Sequence, residues 1–438
     1  MTALPLASGA RGLPWDPKHP SIHLFESLGR THAFLPNGSR VYGLSEDLAA
    51  DFAADVLERL HLNDHTFIND EPVHSPPVRA LSLAIAQKCN LACTYCYAQE
   101  GSFGGAPKEM PLDVALKAVD LLFRDAKAGE RVNLAFLGGE PLTNRSGVKA
   151  ATEYAFDLAE AKEVRIGFSL TTNGTLLTPE DAEFFERYGF AVTISLDGIG
   201  STHDRLRPFK SGRGSYERIL ERVQPLLRSQ NKMQVSARIT VTPSNLDLPR
   251  TLDEFTRLRF FSVGFSPMLS SPAGRNQMNA DALDQMLEQM IACGRLFEER
   301  VANGERYPFL NMVNALKEIH LGTHRPYPCG AGAGYMGVSA DGALFGCHRF
   351  VDDERVKFGN VFDGVDRSTQ NRWLAERHVH RQEPCVSCWA RYLCGGGCHH
   401  EVLNRGRAAC DYIRGWLHYC LQAYVRLRAE APWYFGCD

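Results

Sequence analysis

The sequence predicts an α/β protein built on a parallel sheet, open or curled into a partial barrel. Three observations lead there. Six apolar, strand-like runs fall between residues 78 and 268, with helical periods between them. Several polar or cysteine-bearing motifs sit where those runs end. With 438 residues, the chain is long enough for more than one hydrophobic core.

Taken in order, residues 1–20 are rich in Pro and Gly and read as a loose arm. In HLFESLGRTHAFLPNGSRVYG, the turn at Pro36-Asn37-Gly38 joins two β-rich stretches into a hairpin. Ser45, with acidic residues just behind it, opens an amphipathic helix. Residues 1–77 are therefore a small α+β module. The strand runs are 78–86, 132–139, 164–174, 190–198, 234–242 and 260–268. Between them lie helical periods such as PLDVALKAVDLLFRDA and SYERILERVQPLLRS, and this alternation predicts parallel strands across 78–275. Function in such sheets gathers at the carboxyl ends of strands. The cysteines of CNLACTYC (89–96), GGEP (138–141), TTNGT (171–175) and SLDG (195–198) all fall there. A helical connector occupies 276–328. Residues 329–438 are Gly- and Cys-rich with little periodicity, as expected where bound metal substitutes for a core.

A net charge of −3 gives no electrostatic reason to expect nucleic acid. The N-terminal stretch lacks an apolar run of signal-peptide type, and no run is long enough to span a bilayer. The expected setting is the cytoplasm, where stable disulfides are uncommon. Thirteen cysteines, three at 89–96 and nine from Cys329 to Cys437, then suit metal ligation better than pairing.

Cys89, Cys93 and Cys96 admit three readings: buried structural thiols, a zinc site lacking a nearby fourth ligand, or an iron–sulfur cluster with one iron unligated by protein. The pattern Cys89-x3-Cys93-x-Tyr95-Cys96 resembles the signature of radical S-adenosylmethionine (radical SAM) enzymes. That resemblance implies a partial (β/α)6 TIM-like barrel. It also implies a [4Fe-4S] cluster whose open iron chelates SAM, reductive SAM cleavage, and hydrogen abstraction by a 5′-deoxyadenosyl radical. Gly138, Gly139, Glu140 and Pro141 resemble the family motif whose backbone helps hold the SAM amino group. By the same resemblance Ser195 and Asp197 face the SAM ribose and methionine, Arg207 pairs with its carboxylate, and Tyr95 lies near the adenine. Thr172 and Asn173 are read as SAM contacts or as turn-formers.

The later cysteines resemble the SPASM extension, which normally carries two auxiliary [4Fe-4S] clusters; a zinc ribbon is the competing reading. The resemblance implies Cys329, Cys347 and Cys398 for the first auxiliary cluster, and Cys385, Cys388, Cys394 and Cys410 for the second. Cys420 competes with Cys410 for the second. The first set lacks the second cysteine that fully ligated members carry after Cys329, leaving either an open iron or closure by a distant group such as Cys437. With the triplet, three [4Fe-4S] clusters are expected.

The family resemblance implies a maturase of ribosomally made peptides that installs an oxidative modification, a thioether or C–C crosslink. The alternatives are a sulfatase-maturase-like side-chain dehydrogenase and, from another class, an iron–sulfur electron-transfer or scaffold protein. The expected partners are a precursor peptide with a leader segment and an electron donor such as flavodoxin or ferredoxin, with neither nucleic acid nor membrane. The N-terminal module resembles part of the element with which maturases grip a leader, unless it merely caps the barrel.

Overall fold

The structure, a computed structural model, describes residues 22–50, 61–62, 66–272 and 274–436. The predicted N-terminal arm, the continuation of the Ser45 helix through residues 51–60, and Cys437 lie outside the described residues. The chain divides into two compact units: residues 1–72, 279–329 and 375–438 form one, and residues 73–278 and 330–374 the other.

In the first unit, β1 (His23–Ser27), β2 (Arg30–Leu35) and β3 (Arg40–Gly43) make an antiparallel sheet in that order. The hairpin expected at Pro36-Asn37-Gly38 joins β2 to β3, and the helix after Ser45 begins at Glu46. Beside them pack three helices, Ala280–Ala302, Leu310–His320 and Cys410–Glu430. The last contacts β1 and both other helices. Close approach is built into the sequence: a Cβ on Gly294 would stand 2.3 Å from the Tyr419 ring, and one on Gly415 2.5 Å from Leu287. Glu298, paired with Arg426 at 2.7 Å, ties the same two helices together.

The second unit is the barrel. β4 (Ala80–Gln87), β5 (Lys108–Glu109), β6 (Arg131–Gly138), β7 (Arg165–Thr172), β8 (Ala191–Ser195), β9 (Gln234–Val241) and β10 (Ser262–Pro267) supply most of one sheet. Apart from the short β5, which pairs antiparallel with β4, the strands run parallel in the order β10-β9-β8-β7-β6-β4. This is the six-stranded α/β partial barrel expected. Central β4 is apolar along nearly all its length because both faces are covered. Outer strands alternate instead. In β9, Val235, Ala237, Ile239 and Val241 are buried on the helical side, whereas Gln234, Ser236, Arg238 and Thr240 occupy the inner face. Beneath the helices, Phe136, Phe168 and Phe185 pack on Phe190 with ring centroids 6.2, 5.3 and 4.9 Å away. The helix Pro179–Tyr188 starts on a capping box between Thr178 and Asp181.

Residues 330–374 add what the sequence reading lacked. β11 (Tyr335–Val338) pairs parallel with β4, and β12 (Ala343–Phe345), β13 (Lys357–Asn360) and β14 (Gly364–Val365) continue the sheet antiparallel. Part of the cysteine-rich stretch thus belongs to the barrel unit.

Candidate active site

All four predicted motifs stand at the carboxyl ends of barrel strands. The loop after β4 carries Cys89, Cys93 and Cys96. It is tied down by Ala92 N–H to Pro208 C=O at 2.9 Å, and Thr94 N–H to Leu206 C=O at 3.0 Å. The Cys89 Sγ accepts weak bonds from Leu91 N–H (3.5 Å) and Asn173 Nδ2 (3.7 Å). The three thiols lie close enough to feel one another's charge. Burial pushes Cys93 up to about 12, against the pull of the nearby Arg207 guanidinium, and burial likewise raises Cys89. As free thiols these two therefore stay protonated at neutral pH, and iron would displace their protons on binding.

Gly138 and Gly139 set the wall beside the triplet. Gly138, at φ 144°, leaves no space for a side chain, since a Cβ there would lie 2.2 Å from Ala86 C=O. A Cβ on Gly139 would meet Lys88 C=O at 2.3 Å and Gly101 Cα at 2.7 Å, while one on Gly101 would meet the Cys89 Cβ at 2.8 Å. The GGEP turn and the cysteine loop thus touch backbone to backbone. Glu140 then turns fully inward. Its carboxylate accepts from Leu142 N–H (3.0 Å), Thr172 Oγ1 (2.7 Å) and Asn173 N–H (2.7 Å). Burial raises its pKa, and those three donors oppose the rise. Asn173 closes the turn by accepting from Thr175 N–H at 3.0 Å, and donates to Asn90 at 2.9 Å. Asn173 therefore ties the β7 end to the cysteine loop, and Thr172 ties it to the GGEP turn.

Across the rim, Asp197 has no exposed surface and accepts from Thr240 N–H at 2.8 Å and from the Tyr95 hydroxyl. Arg207 Nη1 donates to Tyr95 Oη at 2.7 Å and lies 3.6 Å from Asp197 Oδ2. Tyr95 packs with Leu206 and Met268, so its ring points into the protein and its hydroxyl couples Arg207 to Asp197. Sequence reasoning did not find the supports of this triad: Asn245, donating to Asp197 C=O at 2.9 Å, and His203 Nδ1, accepting Asp197 N–H at 3.1 Å. Ser195 ends β8, half-buried, in register with Arg238 of β9.

A second polar group, of which the sequence offered only His348 beside a candidate ligand cysteine, lies on the inner face near Cys347. Tyr335 Oη donates to Ser82 Oγ at 2.9 Å and lies 2.7 Å from His348 Nδ1; Arg349 stacks 5.3 Å from the Tyr97 ring centroid.

The second auxiliary set is brought together within the first unit. Cys385, Cys388, Cys394 and Cys410 influence one another electrostatically. Gly396 and Gly397 N–H groups point at the Cys394 sulfur, and Arg414 donates to Cys388. Such donors suit thiolates holding a cluster. Among the described residues no three His, Cys, Asp or Glu groups are arranged to hold a single metal ion. Cys410 is the first residue of its helix, whereas Cys420 is fully buried on that helix with its sulfur 3.9 Å from Met312 Sδ. Cys293 is likewise a buried thiol. The first auxiliary set divides between units, Cys347 in the barrel unit and Cys329 and Cys398 in the other. Among the described residues, no helix is long and apolar enough to cross a membrane.

Comparison with known proteins agrees with this geometry. Residues 83–256 match the Radical SAM superfamily. A serine-type anaerobic sulfatase-maturating enzyme of Klebsiella pneumoniae is 26% identical over 365 residues, covering 78% of this chain and 88% of its own. The structure of anSMEcpe with bound AdoMet superposes with a TM-score of 0.66 at 20% identity, covering 81% of this chain and 100% of that one. Streptococcus suis SuiB bound to precursor peptide SuiA gives 0.54 at 13% identity, covering 88% and 95%.

Proposed function

Given that the chain is a radical SAM oxidoreductase, with its domain at residues 83–256 and a cysteine-rich region behind it, we propose that it is a maturase oxidising a side chain of a peptide or protein substrate. The observation that carries this is the packing of the cysteine triplet against GGEP on one side, with the Tyr95–Asp197–Arg207 triad on the other. When bound on a [4Fe-4S] cluster held by Cys89, Cys93 and Cys96, SAM supplies the 5′-deoxyadenosyl radical. Arg207, held by Tyr95 and Asp197, provides a fixed cation beside the triplet for the SAM carboxylate. The Gly138–Pro141 backbone is the polar wall for the amino group, and Glu140 positions that turn from inside. Ser195 stands at the rim for the nucleoside.

The two auxiliary sets would bring the total to three [4Fe-4S] clusters and about twelve irons, accepting the electron that a two-electron oxidation must shed. A low-potential donor such as flavodoxin or ferredoxin would supply the triplet.

Between the two oxidations, the sulfatase-maturing relative favours dehydrogenation of a side chain to an aldehyde, because it aligns over most of both chains. Crosslinking rests on a separate observation: GAGAGYMG after Cys329 contains no cysteine, so a first auxiliary cluster not closed by Cys437 would keep an iron open for a substrate thiolate. The N-terminal sheet bears on either substrate. β3 pairs only with β2 among the described strands, and a cavity of 490 Å³ runs beside it, lined by Arg40, Tyr42, Phe67 and His324. An extended peptide adding to that edge is the proposed grip.

Co-expression with the peptide or sulfatase encoded beside the gene tests the proposal. Mass spectrometry should show loss of two hydrogens from a serine-containing or crosslinked product, and a hydrazide probe should label the aldehyde but not a crosslink. A substrate left unmodified by iron-replete protein would overturn it.

A further inference from the structure

Arg238 plays no part in the chemistry above. It is the fifth residue of β9, and its alternation with buried Ala237 and Ile239 sets it on the inner face, away from the helices. Its neighbours in register there are Ser195 on β8 and Gly264 on β10, both small. Ser236, one inner position earlier, is occupied with Ser262 at 2.8 Å.

The side chain is exposed on that face, and among the described residues no carboxylate pairs with it. The acidic groups at this end of the barrel are already engaged. Glu140 is held by Leu142, Thr172 and Asn173, and Asp197 by Thr240, Tyr95 and Arg207. A guanidinium facing the barrel interior without a carboxylate pairs with a full anion, in two parallel hydrogen bonds, better than with a neutral carbonyl.

The two barrel arginines also divide the interior. The charge of Arg207 acts on Cys89, Cys93 and Glu140, whereas that of Arg238 acts on His348.

We infer that Arg238 is a substrate-binding residue that receives a carboxylate, the side chain of an Asp or Glu placed next to the reacting residue of the peptide. The inference rests on the maturase reading for what enters the barrel. The same chemistry has a second source, the carboxylate of SAM itself, which the geometry gives to Arg207.

The test uses full-length, iron-replete protein with saturating SAM and two probes, N-acetyl-glutamate amide and its neutral isostere N-acetyl-glutamine amide. Binding is followed by saturation-transfer NMR. The carboxylate probe should bind at least tenfold more tightly than the amide. Arg238→Gln should erase the preference and Arg238→Lys retain part of it, with SAM affinity by equilibrium dialysis within twofold of the parent protein. Equal binding of the two probes to the parent protein would overturn the inference, as would a preference that survives Arg238→Gln. A tenfold loss of SAM affinity in Arg238→Gln would also overturn it, by assigning the residue to SAM. Failure of the maturase reading would show separately, as parent protein that releases no 5′-deoxyadenosine while the probe preference remains readable.

Discussion

The cysteine triplet and the Cys385–Cys410 segment both gather thiols, but different forces hold them. Around the triplet, glycine contacts at van der Waals limits and an inward carboxylate with three donors fix the loop from polypeptide alone. Strands β4, β6 and β7 stand directly beneath it. The later segment consists of a three-residue turn at Cys385–Ser387, a four-residue helix at Arg391–Cys394, three successive glycines and a seven-residue helix at His399–Arg405. Its small core holds Ile68, Val379, Cys385 and Tyr392. A preformed rim lets one iron stay open to a ligand without loss of shape, whereas a segment with so little core depends on a fully ligated cluster.

Anaerobic removal of iron with a chelator, followed by hydrogen exchange, should separate the two regions most. Amides of residues 385–410 should lose nearly all protection while those of β4, β6 and β7 keep theirs. Equal loss in both would refute the contrast.

Next in size is Gly139→Ala. The new methyl meets Lys88 C=O and Gly101, so the loop must shift, at about 1–3 kcal/mol. The loss should appear as depleted triplet iron by electron paramagnetic resonance, with the auxiliary signals intact. Tyr95→Phe removes only the bridge between Arg207 and Asp197. It should weaken SAM about tenfold, or ~1.4 kcal/mol, in equilibrium dialysis.

The smallest effect concerns acid. His203 in the barrel and His23 in the other unit are each buried neutral, with pKa lowered to about 3 chiefly by desolvation. Unfolding lets them protonate near 6.5, so their contribution is complete above that pH and is lost as pH falls toward 3. From pH 6.5 to 5.5 each should cost about 1 kcal/mol. Exchange measured at both pH values should show the drop in each unit, and His23→Gln should flatten it only in the first.

Much of the barrel was legible because its strands are long apolar runs with helical periods between them, and because the four motifs end those runs. The hairpin turn at Pro36-Asn37-Gly38 and the helix opened by Ser45 were legible from local chemistry alone. β11 was not: it is four residues in a Gly-rich stretch, and its partner β4 lies some 250 residues earlier. Tyr95 read as an adenine neighbour; the bonds of its hydroxyl to Asp197 and Arg207, both distant in sequence, emerge only with the fold. Glu140 read as one member of a backbone motif, and its role as an anchor comes from Thr172 and Asn173. Arg238 left a sequence trace, a charge at the polar parity of QVSARITV. Parity places the side chain on a face, but an uncompensated charge emerges only with the fold.

The most direct test is reductive SAM cleavage by reconstituted protein and by Cys89→Ala/Cys93→Ala/Cys96→Ala, with liberated 5′-deoxyadenosine quantified. The parent protein should release it, and the triple variant should release none while retaining the iron of the auxiliary sets. Cleavage by the triple variant, or a parent protein with its triplet iron in place that leaves SAM whole, would contradict the account.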